Sequence, residues 1–145
     1  MKATLRVRFA LLIGVGLLVF SACGAGGGPA IDGTRAWFQA LADLKFDEVM
    51  KLTCANPKVQ QAIETKLDPF IELKDTLTAL KGQFDFSGLK FEEKANDGKT
   101  ATIHLTGKML IKALGQSEPL DVFEDILVVN ESGTWRVCAN PLDIK

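Results

Sequence analysis

The apolar residues of this chain change their spacing near residue 89, and this change limits the folds that the chain can adopt. Between Thr100 and Ile111, apolar and polar side chains alternate, which is typical of a β-strand with one buried face. The apolar members are Ala101, Ile103, Leu105, Met109 and Ile111, and the polar members are Thr100, Thr102, His104, Thr106 and Lys108. Residues 32–80 carry apolar side chains at helical spacing instead, so we expect helices to precede the strands.

Local start signals place the predicted helices. Asp32 or Thr34 can cap a first helix, and a short second helix is expected to start at Phe46. A third helix is predicted to start at Asn56-Pro57, because Asn is a good cap and Pro suits the first helical position. A similar signal recurs at Pro69, which is expected to break or kink the helical run.

Four strands are predicted after residue 88, and short turns join them. They cover Leu89–Phe91, Thr100–Ile111, Val122–Val129 and Trp135–Cys138. Short turns of hairpin composition favour an antiparallel meander. Because the helices precede the strands rather than alternate with them, we predict an α+β fold with N-terminal helices packed on one face of a four-stranded meander.

Residues 1–22 are predicted to be an export signal. Lys2, Arg6 and Arg8 precede a 12-residue apolar run at residues 9–20, which suits the apolar region of a signal peptide. The run is shorter than the roughly 20 residues that a membrane-spanning helix needs. Loss of these three cations leaves 14 basic and 18 acidic residues in the rest of the chain. Electrostatic docking onto anionic lipid is therefore not the expected means of attachment.

The segment Val19-Phe20-Ser21-Ala22-Cys23 resembles the lipobox of bacterial lipoproteins, with Phe20 where that family usually has Leu. The resemblance implies that Cys23 carries a diacylglyceryl group and becomes the N-terminus after cleavage. The alternative is an ordinary signal peptide cut before Cys23, which would leave a free thiol. Because Gly-rich residues follow, we expect a lipidated Cys and flexible tether at residues 23–31 and a single domain at residues 32–145.

Cys54 and Cys138 remain as a pair if Cys23 carries lipid. In an exported protein, such a pair favours a disulfide. A metal site is disfavoured, because it would need further ligands and His104 is the only histidine of the chain. Two reduced, separately buried cysteines are the alternative.

The order of the predicted elements, with the segments Trp37–Met50 and Gly133–Cys138, resembles the nuclear transport factor 2-like (cystatin-like) superfamily. The resemblance covers residues 32–140 approximately. It implies a cone in which a long, strongly bent antiparallel sheet curls around the helices and whose open end can hold a ligand. It also implies that Cys54 and Cys138 can meet. The superfamily includes many small exported bacterial lipoproteins of unassigned function.

Four residues are candidates for lining an apolar ligand pocket, because Met and aromatic side chains suit adaptable apolar sites. They are Phe91, Met109, Phe123 and Trp135. A packed core is the alternative interpretation of the same residues. His104 is the general-base candidate, because histidine is the residue type suited to that role near neutral pH. It shares a strand face with threonines, however, so we expect it to face solvent.

Acidic residues gather at the start of the third predicted strand: Glu118, Asp121, Glu124 and Asp125. Alternation sends Asp121 and Asp125 to one face and Glu124 to the other, which favours a solvated stretch over a calcium site. If one carboxylate points inward, Asp125 is the expected member, and it would then support an acid–base role.

The sequence contains no phosphate-binding glycine loop and no zinc-ligand spacing. A formal net charge of -1 argues against nucleic acid as a partner. We therefore expect an extracytoplasmic lipoprotein, anchored to a bacterial membrane, that binds an apolar ligand or an envelope partner protein without catalysis, metal or cofactor. The alternatives are a small isomerase or hydrolase of the polyketide cyclase type, using an inward carboxylate, and an accessory structural subunit of an envelope complex.

Overall fold

The computed structural model describes residues 27–139 and Pro141, and within them four α-helices precede five β-strands. The helices are α1 (Pro29–Ala42), α2 (Phe46–Lys51), α3 (Pro57–Glu72) and α4 (Lys74–Ala79), and the strands are β1 (Gln83–Asp85), β2 (Leu89–Asn96), β3 (Thr100–Ala113), β4 (Gln116–Glu131) and β5 (Thr134–Val137). The fold is α+β, with helices followed by a curled antiparallel sheet, which confirms the predicted class. The predicted export signal and Cys23 lie outside the described residues.

Helix α1 begins earlier than either predicted cap. It starts at Pro29, whose fixed backbone angle suits the first helical position, and Gly28 precedes it. Ala30 and Ile31 are already buried in the core, so the end of the predicted tether overlaps the first turn of this helix. Thr34 is not a cap, because its hydroxyl donates a 2.9 Å hydrogen bond to the carbonyl of Ala30 one turn earlier.

Helix α3 confirms the predicted start, and Pro69, where a break or a kink is predicted, does not end it. The side chain of Asn56 accepts a 3.0 Å hydrogen bond from the backbone N–H of Lys58, as an N-cap should. The helix then continues through Pro69 to Glu72, and the chain breaks at Leu73 before α4 begins. Pro69 lies on the exposed side of α3, where water can hydrogen-bond to the carbonyl group that Pro leaves without a donor.

The sheet contains one strand more than the sequence predicts. β1 and β2 lie end to end along the same side of β3, with β1 paired to Leu110–Lys112 and β2 paired to Ala101–Gly107. The predicted meander is otherwise present, because β3 pairs with β4 along its whole length and β4 pairs with β5. The first predicted strand, Leu89–Phe91, is the start of β2, and β1 is the additional strand. Residues 86–88 interrupt the sheet edge between the two.

Two glycines allow the sheet edge to change direction at this interruption. Gly107 in β3 has a φ of +121°, which side chains disfavour, and a Cβ atom there would overlap the carbonyl oxygen of Gly88. A Cβ atom on Gly88 would in turn lie 2.5 Å from the carbonyl oxygen of Lys108. The backbones of the edge segment and β3 therefore approach each other more closely here than residues with side chains would permit.

The core lies between the helices and the concave face of the sheet. Trp37 of α1 is fully buried, and its Nε1–H donates a 3.0 Å hydrogen bond to the hydroxyl oxygen of Thr53. The Thr53 hydroxyl donates in turn to the carbonyl of Val49, 2.8 Å away. These two hydrogen bonds pair the buried polar atoms of the Trp37 and Thr53 side chains. The packing near the junction between α1 and α2 therefore leaves neither side chain with an unpaired polar atom.

Cys54 and Cys138 form a disulfide, which confirms the predicted pairing. Their sulfur atoms are 2.07 Å apart and their Cα atoms 5.1 Å apart. The backbone brings them together, because Cys54 donates from its N–H to the carbonyl of Val137, at 2.9 Å, just after α2. The bond joins the helical part of the chain to the end of the last strand.

Candidate ligand cavity

A cavity of about 170 Å³ lies between the helices and the concave face of the sheet. Among the described residues that line it, all but Lys66 and Glu124 are apolar. The wall comes from α1 and α3 on one side and from β3, β4 and the β1 edge on the other, with representative contributions from Phe38, Leu67, Phe84, Leu105, Met109 and Ile126. Pro141, near the end of the described chain, also borders it. Such a lining favours apolar occupants.

Aromatic side chains form one wall of the cavity. The rings of Phe38 and Phe86 meet edge to face with centroids 5.0 Å apart, and the Phe84 and Phe86 rings stack at 6.2 Å. Phe70 of α3 packs edge to face on Phe84 at 5.5 Å and remains 36% exposed. The wall is therefore continuous from the core at Phe38 to the surface at Phe70.

The cavity exists because the helices cover only part of the concave face. Ile63 and Leu67 are the buried residues of α3, and α4 has none. Within the described part of the chain, no helix covers the far end of the β3–β4 hairpin, and Ile111 on its concave side is 42% exposed. Ile111 and Phe70 both line the cavity and are solvent-exposed, so they mark its mouth.

Glu124 is the inward carboxylate, and this corrects the expectation for Asp125. Glu124 lies opposite Leu105 in the β3–β4 register, is half-buried and borders the cavity. Asp125 points to the convex face, where its side chain is 64% exposed. The alternation of β4 is ambiguous in the sequence because both of its faces carry large apolar residues, and only the pairing with β3 decides between them.

His104 lies on the convex face of the sheet, away from the cavity. Its Nδ1–H donates to the carboxylate of Asp125 at 2.6 Å, and the edge of the Phe123 ring packs on it at 4.8 Å between centroids. These contacts leave the His104 side chain 14% exposed. The imidazole is therefore held by its neighbours rather than free in solvent, and it has no access to the cavity carboxylate.

The four predicted pocket residues occupy four different surroundings. Met109 lines the cavity. Phe91 borders a separate, more polar groove, where the Arg35 guanidinium lies 5.4 Å from the ring centroid. Trp135 is buried in the core against α1, and Phe123 is 76% exposed on the convex face. Neither Trp135 nor Phe123 is among the residues that border the cavity, because the strand register places them elsewhere.

An ion pair lies at the edge of the sheet next to this polar groove. Lys112 donates from Nζ to the carboxylate of Asp85 at 2.7 Å, across the β1–β3 pairing. This hydrogen bond, together with those from Ser87, holds the pKa of Asp85 well below its ordinary value. The carboxylate is therefore charged across the neutral range and helps to hold β1 on β3.

No protein-family model matches this chain, and no curated protein matches it. Among residues 27–139 and Pro141, no three His, Cys, Asp or Glu side chains come together in a way that could hold a metal ion. The helices in this part of the chain are all too short or too polar to cross a bilayer. Fold and site thus define an α+β domain with a curled sheet and a mainly apolar cavity.

Proposed function

We propose that this protein is an exported lipoprotein, anchored through Cys23, whose domain binds a small apolar ligand in the cavity. The anchor is supported by the basic start, the short apolar run and the lipobox-like segment before Cys23. Ligand binding is supported by one observation, the almost wholly apolar lining of a cavity with an open mouth. The superfamily resemblance, a cone with an open end, is consistent with the same function.

The volume limits the size of the ligand. An engineered cavity of about 150 Å³ lined by aliphatic and aromatic side chains stays dry and binds benzene. The present cavity, at about 170 Å³, is comparable. A single ring or a short alkyl chain therefore fits, with longer ligands extending through the mouth between Phe70 and Ile111. Each Å² of apolar ligand surface removed from water contributes about 25 cal/mol, which drives binding without catalysis.

The methionine methyl groups provide a direct test of ligand binding. With ¹³C-methyl methionine, we expect toluene or 1-hexanol to shift the NMR signal of Met109, which lines the cavity, and to leave that of Met50 unchanged. Ile111→Trp should weaken this binding about tenfold or more, because a larger side chain at the mouth fills the cavity.

Leu114→Trp is the matched control, since Leu114 lies at the exposed hairpin tip outside the cavity. It should bind both probes as the unchanged protein does. If neither probe shifts the Met109 signal at millimolar concentration, the ligand-binding proposal is wrong.

Metabolic labelling tests the anchor. In a bacterial host, the chain should incorporate a radioactive fatty acid, and Cys23→Ala should lose the label, because the thiol is the expected acylation site. Stable attachment to membranes should be lost together with the label, because the diacylglyceryl group on Cys23 supplies the acyl chains that firm anchoring needs. A mature product without label, or one whose first residue follows Cys23, would contradict the proposal.

The enzymatic alternative is supported by one specific observation, a carboxylate inside an apolar cavity. Its candidate acid–base residue is Glu124 rather than Asp125, because Glu124 borders the cavity. No histidine assists it, since His104 lies on the other face of the sheet. Turnover of a small ketone or ester that Glu124→Gln abolishes would favour this alternative over simple binding.

A further inference from the structure

We infer that the ligand of this cavity is an apolar molecule bearing a hydrogen-bond donor, an amine or a hydroxyl, and that the Glu124 carboxylate binds this donor. The inference rests on the proposed function, because it names the chemical class of the ligand that occupies the same cavity. It is carried by the position of Glu124, the surroundings of its carboxylate and the exposure of the other charged lining residue.

The Glu124 carboxylate can accept hydrogen bonds that no described residue of the protein donates. No hydrogen bond or ion pair joins its carboxylate to another residue within 27–139 or to Pro141. A carboxylate can accept about four hydrogen bonds. The residue is half-buried, so solvent can reach its carboxylate.

A ligand that fills the cavity changes the surroundings of this carboxylate. The neighbours of Glu124 in the lining include Leu105, Val122 and Ile126, none of which has a side chain that can donate a hydrogen bond. A purely apolar ligand would displace water from the carboxylate and leave a poorly solvated charge, which is costly. An anionic ligand would add repulsion between like charges. A donor on the ligand replaces the lost water and removes both penalties.

Lys66, the second charged residue of the lining, does not require a polar group on the ligand. It lies on the exposed surface of α3. Lys66 already has an interaction of its own, so its ammonium group does not need one from the ligand. Glu124 projects from β4 and borders the cavity, and no described residue pairs with its carboxylate. The polarity of the bound ligand is thus set by the carboxylate rather than by the ammonium group.

Three probes of equal chain length test the inference: hexylamine, 1-hexanol and hexanoate. Each is titrated at neutral pH into the processed chain, as purified from the cell and held in lipid nanodiscs, with the Met109 methyl signal as the readout. Hexylamine, as its ammonium ion, and 1-hexanol should bind more tightly than hexanoate. The affinity for hexylamine should exceed that for hexanoate by about tenfold or more, which corresponds to the ordinary strength of a hydrogen bond to a charged group.

Glu124→Gln should reduce hexylamine binding about tenfold or more and remove the preference over hexanoate. Glu118→Gln is the matched control, because Glu118 lies on the same strand but not in the cavity lining, and it should leave all three affinities unchanged. An unchanged Met50 signal in each variant verifies that the fold is intact.

The possible failures are distinguishable. If all three probes bind with equal affinity, or if Glu124→Gln leaves the order of affinities unchanged, the inference is overturned while the cavity remains a binding site. If hexanoate binds most tightly, the inference is also overturned. If no probe shifts the Met109 signal, the proposed function fails, and the inference fails with it.

Discussion

Loss of the Cys54–Cys138 disulfide is expected to lower the free energy of unfolding by about 4–5 kcal/mol in the chain-entropy description. The two cysteines are 84 positions apart in the sequence, so the bond closes a loop that contains α3, α4 and all five strands. Without it, the unfolded chain gains the freedom of that long loop. Because small domains are commonly stable by about 5–15 kcal/mol, the loss is a large fraction of the total.

Urea unfolding measures this effect. The unchanged protein should lose stability when a reductant is added, whereas Cys54→Ala with Cys138→Ala should have the lower stability throughout and show no response to reductant. Cys23→Ala serves as the control, because Cys23 is not part of the disulfide. Equal stability of the oxidised protein and the double variant would contradict the prediction.

Gly107→Ala is expected to lower the free energy of unfolding by about 2–6 kcal/mol, from backbone strain together with overpacking. The added methyl group would require a side chain at a φ of +121° and would collide with the backbone of Gly88. A backbone atom cannot rotate away as a side chain can. The edge segment must therefore move away from β3. This movement takes place next to the strand residues that line the cavity.

Gly115→Ala separates the two causes of this loss. Gly115 also has a positive φ, of +77°, but a Cβ atom there would meet no atom within 4 Å. The free energy of unfolding should fall only by the conformational cost of the positive φ, about 1–2 kcal/mol. Urea unfolding compares the two variants, and the Met109 probe signal should change in Gly107→Ala alone. A loss in Gly107→Ala no greater than that in Gly115→Ala would show that the close approach to Gly88 carries no cost.

Local signals in the sequence predicted the elements whose cause is itself local. The cap at Asn56 and the alternation that begins at Thr100 were correct because capping and strand alternation depend on neighbouring residues. At Pro69, where a break or a kink was predicted, the helix continues without a break. A proline inside a helix removes one hydrogen bond, and the burial of Ile63 and Leu67 in the core helps to keep the helix continuous.

The inward carboxylate was missed for a different reason. In β4, the odd-numbered set includes Phe123 and Leu127, and the even-numbered set includes Val122 and Ile126, so either face could be the buried one. The pairing of Ile126 with Ile103 of β3 selects the even-numbered set and turns Glu124 inward with it. The signal was present in the better-defined alternation of β3, which is the partner that fixes the face of β4.

By itself, the sequence determined the α+β class, the order of helices and strands and the cysteine pair, because each depends on spacing along the chain or on residue type. Only the tertiary structure decided that a cavity exists and that Glu124 faces it. Both depend on how far the helices reach across the sheet and on which face of β4 they cover. These are relations between segments distant in sequence, so packing and strand register set them, whereas residue periodicity does not.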